Sequence, residues 1–280
     1  MGFNTPLQVA EAISNAGKTK SCLPFLQMTI LGIFAGAYIG FGAELATMVM
    51  TGTADKLGVG MTKFMGGAVF SVGLMLVVIG GAELFTGNNL MTIGLSQKQF
   101  GLKGLIYNWV FVYIANLIGS LLLVYIMYES NLWQTGGNAV GTTALGIAAG
   151  KVNLSFSEAF YRGIGCNWLV CLAVWLAMAS QDVVGKVFGI FFPIMAFVAS
   201  GFEHCVANMY FIPMGILLKA DAGMAEAVAA LGAKAELLNW SGFFINNLIP
   251  VTLGNIVGGA VFVGLAYFMV YVKQMNTCKG

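Results

Sequence analysis

The chain has 280 residues, 59% of them apolar and only 9% charged, whereas a water-soluble domain carries about 25% charged residues. A surface wetted on all sides is excluded, and the chain reads as a membrane protein. Its net charge of +2, from 13 Lys plus Arg against 11 Asp plus Glu, offers neither a basic face nor an acidic tail, so nucleic-acid binding is set aside.

Residues 1–24 come first. They lack the continuous apolar core of a signal peptide, but Leu7, Val9, Ala10, Ile13 and Ala16 make a helical stripe behind Thr5, an N-cap, and Pro6, a natural first helical residue. This predicts a short amphipathic helix lying on the membrane surface, with a frayed terminus as the plain alternative.

The remainder, 25–280, holds six apolar segments near 25–50, 63–95, 105–128, 159–179, 187–218 and 243–272, against the roughly 20 residues that a bilayer core of about 30 Å requires. Four read as ordinary spans. The second is interrupted at Gly80-Gly81-Ala82-Glu83-Leu84-Phe85-Thr86-Gly87-Asn88-Asn89, and the fifth at Ser200-Gly201-Phe202-Glu203-His204-Cys205-Val206-Ala207-Asn208. The apolar run before each break is read as too short to cross alone. Irregular backbone survives at membrane depth only where protein buries it or where it lines a cavity, so two such breaks predict a site.

The breaks match each other. At an offset of 120, Gly81, Glu83 and Asn88 fall on Gly201, Glu203 and Asn208; at 139, Asn108, Asn116 and Gly119 fall on Asn247, Asn255 and Gly258. Two repeats, near 25–128 and 159–272, follow. Each has an odd number of spans, so the second enters from the opposite face and the duplication is inverted. The fold class is therefore an all-α membrane protein with six spans and two broken helices. Seven lysines on the side of the termini, Lys18 and Lys279 among them, oppose five lysines and one arginine on the other. The basic tails favour a cytoplasmic placement of both termini.

His204, the one histidine, lies inside the second break. An ionisable group at that depth costs roughly 2.5–3.5 kcal/mol and marks a functional site by default; the plain reading is a neutral imidazole tying broken backbone together. Glu83 and Glu203 resemble an acid–base pair, but a carboxylate accepting from freed backbone N–H groups explains one per repeat without chemistry. Thr86 is the hydroxyl that would share the cavity. Leu74, Phe85, Phe197 and Phe202 are ordinary packing unless a pore passes between them, in which case they dewet it. Asn167 is a buried amide needing partners, as are Asn116 and Asn255. A hydrolase built on Ser200 and His204 lacks an orienting third group, so no catalytic residue is assigned. The five cysteines, Cys22, Cys166, Cys171, Cys205 and Cys278, form no Cys-x-x-Cys pair and read as small buried thiols, without metal or other cofactor.

With these motifs assembled, the sequence resembles the formate/nitrite transporter family, which also includes hydrosulfide channels. The resemblance rests on 81–87 (Gly-Ala-Glu-Leu-Phe-Thr-Gly), on 166–175 (Cys-Asn-Trp-Leu-Val-Cys-Leu-Ala-Val-Trp), on 197–204 with Asn208-Met209, and on 247–252 with Gly254-Asn255. It implies an aquaporin-like protomer in a homopentamer of the inner membrane, each protomer with its own pore for a small monovalent anion or its neutral acid. It further implies His204 and Thr86 as the polar midplane pair, with Asn255 bonded to the histidine, and Leu74 and Phe197 as one constriction. Phe85 and Phe202 would contribute to the other, and Lys151 would draw anions into a vestibule. Glu83 and Gly87-Asn88-Asn89 depart from the Asp and Ser-Thr of the formate branch, which tilts the expectation toward hydrosulfide over formate or nitrite. A neutral-solute pore of aquaporin type shares the architecture, but the paired Asn-Pro-Ala signature is absent.

Overall fold

A computed structural model describes residues 2–273. Thr5 and Gln8 form the reciprocal cap that starts α1 (Pro6–Ser21), with Pro6 in the first turn. Next come α2 (Phe25–Met50), α3 (Ala54–Gly80), a 3-10 turn over Gly87–Met91 that runs into α4 (Thr92–Ser96), and α5 (Leu102–Glu129). The second half repeats the series as α6 (Ala139–Val152), α7 (Phe156–Ala179), α8 (Val183–Ala199) and α9 (Cys205–Ala220). After the small α10 (Ala225–Ala230), a last span covers Gly242–Lys273 and alternates between π-type and α-type turns.

The six expected spans are all present, with ends within a few residues of the predicted ones except at α3. That helix starts at Ala54 and kinks at Gly58, where φ is 76°; its 27 residues are long and apolar enough to cross unaided. The expectation of a short run is corrected there. It holds for α8, with 17 residues. The charged Asp55, Lys56 and Lys63 had hidden the added turns from a hydropathy reading.

Each break is made by a glycine in the left-handed region, Gly81 at φ 82° and Gly201 at φ 77°, a conformation that a β-carbon would strain. α3 and α8 pack on each other; α2 lies against α3 and α5 as α7 lies against α8 and the last span. Where α2 crosses α5, a β-carbon on Gly119 would overlap the Ile33 carbonyl, and at the equivalent crossing one on Gly258 would overlap that of Ile164. Glycine at both sites lets the backbones touch. The architecture is the inverted, aquaporin-like bundle.

Two elements differ from expectation. α1 does not lie free on lipid: Val9, Ala10, Ile13 and Gly17 are buried against α4, α7 and the last span. Its stripe is satisfied by protein. α6, with 14 residues, is too short to cross and lies outside the six expected segments. It packs on α9 as α1 packs on α4 and the turn before it, so each half consists of a docked helix, a span, a broken span and a span. Of the cysteines, Cys166, Cys171 and Cys205 are buried as expected; Cys22 is exposed, since it caps the end of α1. Cys278 lies outside the described residues.

Candidate functional site

At the first break, the N–H of Glu83 donates to the Leu31 carbonyl at 3.2 Å; at the second, that of Glu203 donates to the Arg162 carbonyl at 3.2 Å. An amide then staples each loop from the neighbouring span. Asn116 accepts from the Phe85 N–H at 2.9 Å and donates to the carbonyls of Gly32 and Glu83 at 2.8 and 2.9 Å. Asn255 accepts from the Cys205 N–H at 2.9 Å and donates to the carbonyls of Gly163 and Glu203 at 2.8 and 2.9 Å. These bonds satisfy backbone groups that the broken helices leave open. Asn255 thus grips the backbone on both sides of His204 and does not bond the imidazole, contrary to expectation. Both of its N–H donors are already spent on backbone carbonyls.

The two glutamates are each clamped in a polar core. Lys20 Nζ lies 2.6 Å from Glu83 Oε1 and 2.9 Å from Asn88 Oδ1, while Asn88 Nδ2 donates to Glu83 and Asn108 at 2.8 Å. In the second half, Lys151 Nζ lies 3.0 and 3.1 Å from the Glu203 oxygens, and Asn208 Nδ2 donates to Glu203 and Asn247 at 2.7 Å. Lys20 and Lys151 are therefore equivalent, supplied by α1 and α6. The carboxylates hold lysines and amides rather than freed N–H groups, which corrects the sequence reading. The halves differ at the second amide: among the described residues, Asn208 Oδ1 is buried without a hydrogen-bond partner, where Asn88 Oδ1 receives Lys20.

His204 caps α9: its Nδ1 accepts from the Ala207 N–H at 3.0 Å, and its Nε2 lies 2.9 Å from Thr86 Oγ1. Because Nδ1 is an acceptor, the ring hydrogen is assigned to Nε2, which donates to Thr86. Thr86 and His204, 0% and 3% exposed, thus join the two repeats at the centre. Asn167 completes the junction, donating to the Thr86 carbonyl at 3.3 Å, to Asn89 Oδ1 at 2.9 Å and to the Asn255 carbonyl at 2.7 Å.

Two cavities approach this pair from opposite faces. The near one, on the side of α1, has a volume of about 370 Å³ and is lined by Lys20, Leu74, Glu83 and Asn88 among others. The far one, about 470 Å³, is lined by Lys63, Phe70, Lys151, Arg162, Phe197, Phe202, Glu203 and His204. Leu74 and Phe197, expected at one constriction, line different vestibules. Phe197 stacks over the imidazole with ring centres 5.9 Å apart, and Phe70 meets it edge-on at 5.6 Å. Phe85 packs edge-on against Trp109 and Tyr113 and borders an apolar cleft between α5 and the last span. Lys151 lines the far cavity as half of an ion pair with Glu203. The sequence reading missed Lys20, Phe70, Lys63 and Arg162. Lys20 had a signal in its place at the end of the amphipathic stripe, and Phe70 in its spacing of one turn before Leu74.

A family model described as formate/nitrite transporter matches residues 7–269. The chain belongs to this family. It is 48% identical to the "Probable formate transporter" of Methanothermobacter thermautotrophicus, over 97% of this chain and 98% of the relative. It is 39% identical to the formate channel BtFdhC of Bacillus thuringiensis, over the full length of both. A solved pentameric formate channel with formate bound superposes at a TM-score of 0.80 with 42% identity, covering 89% of this chain and 98% of that one. As a member of the formate/nitrite transporter family, the chain is a multi-pass membrane anion channel rather than an enzyme. These relatives are named as formate transporters or channels, which favours the formate alternative over the lean toward hydrosulfide. The physical reason is local: Glu83, Asn88 and Asn89, whose identity carried that lean, are bound up in the scaffold.

Proposed function

We propose that the protein is a pentameric formate channel of the inner membrane with both termini cytoplasmic, admitting formate and, by the same chemistry, other small monovalent anions with a neutral conjugate acid. The observation that carries this reading is the Thr86–His204 pair at 2.9 Å, set between two vestibules and screened on the far side by Phe197. Thr86 accepts from the imidazole, so its own hydroxyl hydrogen is left to donate to a passing oxyanion. The N-terminus of α9 adds a positive end at the same depth.

A bare anion is costly between apolar rings, and two effects lower that cost. Donors at the midplane replace part of the hydration shell, and protonation of the solute removes its charge. The ring of His204 is not the source of that proton: an imidazolium would have no lone pair for the Ala207 N–H, so the neutral ring acts as a hydrogen-bond donor. The proton comes with the solute.

Proteoliposomes carrying the purified protein are expected to take up formate well above empty vesicles, with nitrite and hydrosulfide as competitors. The double variant Thr86→Val, His204→Phe removes the hydroxyl donor and the imidazole that orients it; a hydrogen bond to a charged group is worth about 1.5–3 kcal/mol, and flux is expected to fall about ten-fold or more. Flux of glycerol or water with none of formate would sink the proposal in favour of a neutral-solute pore.

A further inference from the structure

The two vestibules are charged differently. The near one holds Lys20 against Glu83, a closed pair at 2.6 Å. The far one gathers three cations from three elements, Lys63 of α3, Lys151 of α6 and Arg162 of α7, around the single carboxylate of Glu203. Lys151 is held by that carboxylate. Lys63 makes no hydrogen bond or ion pair with any described residue, and it lies within Coulombic reach of Lys151, Glu203 and Arg162. Among the described residues, the Arg162 side chain pairs only with Glu158, at 4.0 Å with both side chains about half exposed, a contact worth little. Two cations lining one cavity of about 470 Å³ are thus left to a mobile counter-ion. The inner end of that cavity is walled by Phe70, Phe197 and Phe202.

We propose that the far vestibule binds a small doubly charged oxyanion, of the sulfate or hydrogenphosphate class, on Lys63 and Arg162, and that the bound ion slows entry of monovalent anions from that face alone. Attraction to a cationic cavity doubles with a second charge, while the cost of desolvation rises with the square of the charge. A single proton at neutral pH does not discharge such an ion. It is therefore held in the vestibule but stopped at the phenylalanine ring, in the path of the permeant. The near vestibule, with its lysine neutralised, offers no such site.

This inference rests on the formate-channel reading, and its test separates the two. Uptake of labelled formate is measured in right-side-out and inverted vesicles from the same cells, with sidedness read from protease access to an N-terminal tag. Sodium sulfate is added outside, and sodium chloride at matched ionic strength is the control. Sulfate is expected to slow uptake about five-fold or more where the far vestibule faces out, and little in the opposite orientation. The ratio of uptake with and without sulfate should approach one in Lys63→Gln with Arg162→Gln, while Lys63→Arg keeps the block. Equal inhibition from both faces, or inhibition surviving in the Gln pair, would overturn this inference and leave the formate channel standing. Absence of formate uptake in either orientation would overturn both.

Discussion

His204 is fixed from both ends of its ring, and that is what sets its chemistry. Nδ1 is committed to the first turn of α9 and Nε2–H to Thr86, leaving a neutral donor without capacity to accept a proton in place. Asparagine at this position also caps a helix well. Formate flux in His204→Asn is therefore expected to show the same pH profile as the parent, rising as the solute itself is protonated, although at a lower rate. A displaced profile in the variant would show that the imidazole takes and gives the proton. Such a role is invisible in sequence. His204 and Thr86 stood out as polar residues inside breaks, but their 118-residue separation is closed only by the fold. The tautomer follows from a bond to Ala207 that no motif announces.

Among the elements, α1 and α6 carry the least expected duty. Neither spans the membrane, yet each ends on a lysine that neutralises the glutamate of one break. Glu83 is 6% exposed, and a buried charge that loses its partner costs about 3–5 kcal/mol. Lys20→Met is expected to lower the stability of the assembled protein by that order, read as a fall in its thermal midpoint. Adding Glu83→Gln, which removes the orphaned charge, should recover most of the loss. If the double variant is no more stable than the single one, Lys20 acts through packing. The helix itself was legible in Thr5, Pro6 and the apolar stripe. Its docking was not, because an amphipathic stripe fits a membrane surface and a protein groove equally well.

For the whole molecule, the exposed side chains are the counterpart of the polar core. Phe34, Phe41 and Leu45 on α2 and Phe188 and Phe192 on α8 face outward, while Asn88, Asn108, Asn116, Asn167, Asn208, Asn247 and Asn255 are buried. The inversion of a soluble protein's polarity follows from the solvent being lipid. Outward apolar faces serve lipid or further copies of the chain, and the assembly is expected to contain five copies. Cross-linking in native membranes, followed by mass measurement in detergent, should end at the pentamer; a dimeric or monomeric end point would remove that part of the proposal.

The sequence alone determined the solvent, the number of spans, the two breaks and their inverted relation, because hydropathy and glycine placement are local properties written at every turn of the chain. It also singled out His204 and Thr86 as polar residues inside the breaks. Only the tertiary structure decided which lysine meets which glutamate, that Asn255 holds backbone rather than imidazole, and that Leu74 and Phe197 look toward opposite faces. Those pairings join residues from separate helices. Their energies depend on distances that packing sets and that no spacing along the chain encodes.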